Sequence, residues 1–459
     1  MFEKLLGRTQ KNELQLLHND FFEKLRKSEY RRLDESGEVY LDYTGGNLYP
    51  ENLIDTHHEW LKNNTFGNPH SINPTSERSS KWIEETREAV LKFFNARDYH
   101  CIFTQNASGA LKIVGESYPF DANSQFLLTA DNHNSVNGIR QYCLNKGGQF
   151  HYVPMNPDDL SIDHNRLLND LSSAPKDINK LFAYPAQSNV SGVKHSLSWI
   201  QTAHDHGWDV LLDAAAFVPT SVLDLQTVQP DFVSVSFYKI FGYPTGLGCL
   251  LVHNSKFDKL QKQWFAGGTV KLVTVKTNDH NLNNNYERFE DGTVNYLNIP
   301  AIKFGLDFIN SIGIKRISER VYSMRQALVR ELNKFKHSDG TKMIKVLGPD
   351  TLDSSGSSIV MLFYNPGAKL IPFQTIELLA AKQNISLRAG CFCNPGIDET
   401  IHAIEKDVLS EQVNLVAQNN GIGLHAERGS VRVSVGLATN NADLTRFLNF
   451  VKSLVDQIV

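Results

Sequence analysis

The sequence predicts an α/β fold, a mostly parallel sheet covered on both faces and followed by a smaller α+β portion. Three observations carry this. From about residue 100, short and nearly continuous apolar runs alternate with longer helical patterns, as strands buried on both faces of a parallel sheet do. After about residue 300 that alternation stops, and a long helical stretch leads into a few separated strands. No internal repeat or low-complexity tail interrupts the chain.

Taken in order, Leu14, Leu17, Phe21 and Leu25 recur at helical spacing and predict an amphipathic helix. CIFT (101–104) reads as a strand and NASGALKIVGESY as the helix after it. QFLLTA (125–130) precedes a polar turn and SVNGIRQYCLN; KLFAYP (180–185) precedes the helical HSLSWIQTAHDHG. DVLLDA (209–214), FVSVSF (232–237) and GCLLVH (248–253) are further strands, and NLNNNYE (281–287) is a polar loop. Beyond a helical stretch over 304–337 come SIVMLFY, the helical IPFQTIELLAAKQN, ISLRAG, SVRVSVG and a closing helix, ADLTRFLNFVKSLVDQIV.

Composition narrows the function classes. Hydrophobic residues are 41% and charged residues 21%, as in ordinary globular chains. A net charge of −4 argues against nucleic acid or an anionic membrane as the main partner. No apolar run approaches the ~18 residues of a membrane span, and MFEKLLGRTQKNELQLL lacks the apolar core of a signal peptide. Five scattered cysteines suit a reducing, cytoplasmic setting better than a disulfide framework. Cys391 and Cys393, in RAGCFCNPG, have no further ligands at metal-site spacing, so no metal is expected.

Ligands of open α/β sheets sit at the carboxyl ends of the strands. After CIFT, the run Gln105-Asn106-Ala107-Ser108-Gly109 opens a helix with free backbone N–H groups, suited to an anion or serving as a plain N-cap. Asp213 ends DVLL; a carboxylate there needs a cationic or donor partner, such as a protonated ring nitrogen, or caps a helix. Lys239 lies between FVSVSF and a glycine-rich loop, where desolvation would lower its pKa toward that of an imine-forming amine. His133 follows QFLLTA, in a structural or a catalytic place. Together these four features fit pyridoxal 5′-phosphate, whose recurring partners are a Schiff-base lysine and an aspartate at the pyridinium nitrogen.

The chain resembles the class V aminotransferase superfamily of pyridoxal phosphate enzymes and, within it, the cysteine desulfurases. It looks most like the desulfurase domain of molybdenum cofactor sulfurases. The stretches that carry the resemblance run in family order: YLDYTGGNLYP, GNPHS, FTQNASGALK, DNHNSVNG, SNVSG, LLDAAA, SFYKIFGYPTGLG, FAGGTV, RFEDGTVN, RAGCFCNPG and GSVRVSVG. It implies the type I fold of pyridoxal phosphate-dependent transferases, with a mostly parallel seven-stranded sheet. The large cofactor-binding domain would span 45–300; the small domain, 1–44 and 301–459, would carry the cysteine loop.

Residue by residue, the resemblance implies that Lys239 forms the imine with the cofactor, Asp213 holds the pyridine nitrogen and His133 stacks on the ring. Ala107, Ser108, Ser236 and Tyr238 would contact the phosphate, and Thr293 would reach it from the partner subunit of a homodimer. Asn189 would lie beside the cofactor hydroxyl and the substrate; Arg432 would take the substrate carboxylate, Gly45 would line the same pocket, and Arg388, just before the reactive loop, would also be a substrate-binding residue. The pattern Arg-x-Gly-x-x-Cys makes Cys393 the nucleophile. The implied reaction converts L-cysteine to L-alanine and leaves a persulfide on Cys393, whose sulfur passes to an acceptor protein or small molecule.

The chain also departs from the family pattern. Ala216 stands where many relatives place a glutamine that bonds the ring hydroxyl, and Tyr238 stands where many have a histidine. Ile397-Asp398 follows NPG where the sulfurase motif continues Ala-Cys, and the sulfurases carry a C-terminal cofactor-binding domain not found in these residues. A C–S lyase, an aminotransferase on another amino acid, and a non-catalytic sulfur carrier or scaffold are the alternatives. Product analysis separates the enzymes, and an imine absorbance band separates them from a scaffold.

Overall fold

The computed structural model describes residues 16–349, 354–418 and 428–459; Leu14 of the first predicted helix lies outside them. Seven strands form the main sheet: β1 (Tyr99–Thr104), β2 (Gln125–Thr129), β3 (Gln149–Val153), β4 (Lys180–Pro185), β5 (Asp209–Asp213), β6 (Phe232–Ser236) and β7 (Gly248–His253). Their order is β1-β7-β6-β5-β4-β2-β3. Every pairing from β6 to β3 is parallel, and β7 runs antiparallel to both β6 and β1. β4, β5 and β6 are buried at every residue, because helices cover both faces and leave no solvated side to alternate toward.

Four further strands, β8 (Ile344–Leu347), β9 (Ser358–Phe363), β10 (Arg388–Gly390) and β11 (Ser430–Ser434), form an antiparallel sheet ordered β8-β9-β11-β10. It places Arg388 directly across from Arg432. One continuous core joins the two sheets, from Val233 and Leu251 on one side to Ile359 and Val433 on the other.

The predicted helical stretch over 304–337 is two helices, α2 (Ile299–Ile312) and α3 (Ile314–Leu332); earlier in the chain α1 (Ala107–Ser117) packs against the main sheet. Gly313 breaks the run with φ +88°, a conformation that side chains disfavour. The first predicted helix spans Asn19–Glu29, but Phe22 and Arg26 face the core while Leu17 and Phe21 stay exposed. Arg26 is tolerated inside because its guanidinium bonds Asp443 at 2.6 Å. Among the described residues no helix is long and apolar enough to cross a membrane.

Candidate active site

α1 begins where β1 ends. Asn106 caps it, its side chain accepting from the Gly109 N–H at 3.0 Å. The Ala107 N–H donates to Ser236 Oγ at 2.9 Å, joining the helix start to the end of β6. The Ser108 and Ser135 hydroxyls meet at 2.6 Å. This is a nest of small donors at the positive end of a helix, suited to a phosphate.

Asp213 ends β5, and its Oδ1 accepts from Ser234 Oγ at 2.9 Å and from the Ala215 N–H at 3.1 Å. Lys239 follows β6 in a short helix, Tyr238–Phe241. Burial pulls its ammonium pKa down; Asp213 opposes that, and Arg432 and Arg388 add to it. His133 follows β2. Burial lowers its pKa too, and its Nδ1 accepts the Ser135 N–H at 3.1 Å, which leaves Nε2 to carry the proton of the neutral ring.

Ala107, Ser108, His133, Asn189, Asp213, Ser236, Tyr238 and Lys239 line one cleft. A pyridine aldehyde phosphate fits these groups. They supply an amine poised for neutrality, a carboxylate for a ring nitrogen, an imidazole and a helix start for an anion. The cleft also carries Gln187, 1% exposed, both of whose amide atoms lack a partner among the described residues. Sequence reasoning passed over Gln187; Ala216, on the same cleft, offers no amide.

The other predicted residues are not among those that line the cleft. Arg432, 2% exposed, donates from Nη1 to the Asn189 carbonyl at 2.7 Å and from Nη2 to Asp42 Oδ1 at 2.7 Å. Arg388 bonds Asp42 Oδ2 at 2.8 Å, and the Gly45 N–H bonds the Asp42 carbonyl at 3.0 Å. Asp42 was not among the predicted residues. Thr293 is exposed, meets Asn68 Nδ2 at 3.4 Å and does not line the cleft of its own chain.

Cys393 is exposed, on a loop in which Phe392 and Cys393 both have φ +54°. Two successive non-glycine residues in the left-handed region store strain that neighbours must hold. Asn394, fully buried and also missed, does this: Nδ2 donates to the Asp131 carbonyl at 2.6 Å and to Asn189 Oδ1 at 3.0 Å. Its Oδ1 caps the helix Pro395–Ile401, and Asn189 Nδ2 donates to the Phe392 carbonyl at 2.9 Å. The Phe392 ring lies 4.8 Å from the Arg432 guanidinium. Cys391 is half-buried, and burial and Asp398 push its thiol pKa up to about 11. Among the described residues no group of three or more His, Cys, Asp and Glu side chains is placed to hold a metal ion.

The family model for class V aminotransferases matches residues 39–447. The chain is 34% identical over 453 residues to human molybdenum cofactor sulfurase, covering 93% of this chain and 50% of that protein. It is 33% identical to the Arabidopsis thaliana molybdenum cofactor sulfurase, covering 94% and 58%. The chain thus spans little more than half the length of these curated relatives. Its fold matches the apo cysteine desulfurase from Thermococcus onnurineus NA1 with a TM-score of 0.80 at 21% identity, over 97% of this chain and all of that one. It matches the Escherichia coli cysteine desulfurase CsdA with a TM-score of 0.77 at 19% identity, over 95% and 99%.

Proposed function

We propose that this chain, which belongs to the class V aminotransferase family, is a pyridoxal phosphate-dependent cysteine desulfurase that takes sulfur from L-cysteine and carries it on Cys393. The observation that carries the reading is the junction of two parts. Lys239, Asp213 and His133 share one cleft, and Asn189 on its wall is hydrogen-bonded to the loop that bears Cys393.

Bound pyridoxal phosphate supplies an electron sink for charge developing at the substrate Cα. Asp213 would keep the ring nitrogen protonated. Ala107, Ser108, Ser236 and Tyr238 would hold the phosphate and His133 would pack on the ring. Arg432 would orient the substrate carboxylate. Lys239, whose ammonium burial disfavours, would hold the aldehyde carbon and then move the Cα proton. The Cys393 thiolate would attack the substrate sulfur. A bond forms between the two sulfurs, the Cβ–S bond breaks with its electron pair going to Cβ, and a proton delivered there, with the Cα proton returned by Lys239, completes alanine.

The finer readings rest on separate supports. A homodimer, with Thr293 completing the phosphate site of the partner subunit, is supported by exposed apolar side chains, among them Trp264, Leu272, Val275 and Ile72. The domain division at 45–300 against 1–44 and 301–459 follows the two sheets. A cytoplasmic setting suits five free cysteines. The acceptor is a protein or small molecule that meets the exposed Cys393. The curated relatives' names point to the molybdenum cofactor, and Ile397-Asp398 is where this chain departs from their motif.

The test is incubation of the cofactor-loaded protein with L-cysteine, with alanine quantified and Cys393 examined by peptide mass spectrometry. Alanine together with a +32 Da Cys393 peptide is expected, since one added sulfur defines a persulfide. Cys393→Ala should keep the cofactor absorbance and lose alanine formation. Pyruvate and ammonia in place of alanine would identify a C–S lyase instead.

A further inference from the structure

Arg432, assigned to the substrate carboxylate, and the substrate-binding Arg388 already share a carboxylate inside the protein. Asp42 Oδ1 binds Arg432 Nη2 at 2.7 Å, and Asp42 Oδ2 binds the Arg388 guanidinium at 2.8 Å. The three side chains differ in exposure: Arg432 and Asp42 are buried, whereas the Arg388 side chain is 53% exposed. The arrangement is built into the backbone. β10 and β11 set the two arginines face to face, and an isolated bridge holds Asp42 beside Ser434 of β11. Gly45 leaves the room: a Cβ there would stand 2.4 Å from Asp42 Oδ2, an atom two guanidinium contacts keep from yielding. On Arg432, Nη1 is taken by Asn189 and Nη2 by Asp42, while Nε is buried without a partner among the described residues.

Two cations and one anion leave a single positive charge. Beside the buried Arg432 guanidinium, one monoanion neutralises that charge; a second anionic group would be left uncompensated. Resting on the reading of Arg432 as the carboxylate site, we infer that Asp42 is a specificity-determining residue: by taking up one of two arginine charges, it restricts the site to amino acids with one carboxylate and rejects dicarboxylates. Asp42 thus acts through the arginines, setting their position and their net charge.

The experiment uses cofactor-loaded protein and follows the visible absorbance on titration with L-alanine and with L-aspartate. The wild type should bind alanine in preference to aspartate. Asp42→Asn, which leaves both arginine charges, should shift the ratio of the two dissociation constants toward aspartate about tenfold or more, the size expected of one uncompensated charge. Asp42→Glu should keep the wild-type preference, and Asp42→Asn/Arg388→Gln, with one positive charge again, should return to it. Arg388→Gln alone, at a half-exposed side chain, makes the clasp neutral and should weaken alanine binding; it carries the test should Asp42→Asn fail to fold.

Equal weakening of both ligands in Asp42→Asn, or a Glu variant that behaves like the Asn variant, overturns the inference and leaves Asp42 a purely structural ion pair. A wild type whose absorbance responds to neither amino acid overturns the carboxylate-site reading itself, and the inference with it.

Discussion

The carbonyl of Cys393 accepts a hydrogen bond from the backbone N–H of Asn134 at 2.7 Å. Asn134 is the residue after His133, so the strained sulfur loop is pinned to the strand end that carries the ring-packing histidine. The loop and the cleft are therefore one mechanical unit, and residues that hold the loop should affect sulfur transfer without touching the cofactor.

Asn394 is the sharpest case. Asn394→Ala removes the donor to Asp131 and Asn189 and the cap on Ile397. Each buried group left unpaired costs about 1–3 kcal/mol, so denaturant unfolding should show a loss of about 2 kcal/mol or more. The variant should keep its cofactor absorbance while alanine formation drops steeply. A variant with full stability and full turnover would show that the loop holds its shape without this side chain.

Alkylation should separate the two loop cysteines. Burial and Asp398 push the Cys391 thiol up to about 11, so at pH 7.5 it is almost wholly protonated and a poor nucleophile. Cys393 is exposed. Iodoacetamide should label Cys393 first, then Cys391, with Cys101, Cys143 and Cys249 protected by burial. Asp398→Asn should speed labelling of Cys391. Equal rates for the two loop cysteines in the native protein would contradict this.

Most of the scaffold is legible in the sequence because it is local. CIFT, QFLLTA, KLFAYP, DVLLDA, FVSVSF and GCLLVH all fall on strands of the main sheet. β3 escapes a reading based on apolar runs: as the edge strand QFHYV it alternates exposed and partly buried residues and ends in one buried valine. Asp213, Lys239, His133 and the helix start at Ala107-Ser108 are legible for the same reason, since they sit at strand ends; Asn189, Ser236 and Tyr238 are legible only through the family resemblance. Asp42 is not. It meets Arg388 across 346 residues of chain and Arg432 across 390, and no pattern around YLDYTGG announces either contact. Asn394 is masked in another way: inside CNPG it reads as an ordinary turn residue, although two of its three bonds hold distant segments.

The acid side of stability should carry the mark of His133. Its folded pKa lies below the ordinary histidine value because burial disfavours the charged ring. As pH falls through about 6.5, the unfolded chain takes up this proton while the folded protein still resists it, so stability is lost. The loss grows until pH passes below the lowered folded value. His133→Asn removes the contribution. The difference in Tm between wild type and variant should therefore shift against the wild type from pH 8 to pH 5, and a difference independent of pH would reject the assigned direction.

The phosphate nest should depend on a residue that touches no ligand. Gly248 opens β7 opposite the start of α1, and a Cβ added there would stand 2.5 Å from the Val235 carbonyl oxygen and 2.6 Å from the Asn106 carbonyl carbon. Both are backbone atoms, so neither can swing aside; the helix start must move away from β6 instead. That motion breaks the Ala107 N–H to Ser236 Oγ contact and turns the nest away from the cleft. Gly248→Ala should thus weaken pyridoxal phosphate binding by tenfold or more, about 1.4 kcal/mol, measured by titration of the apoprotein. Ser108→Ala removes one hydroxyl and leaves the helix in place, so it should cost less. If Gly248→Ala binds the cofactor as tightly as the wild type, the helix start does not set the phosphate site.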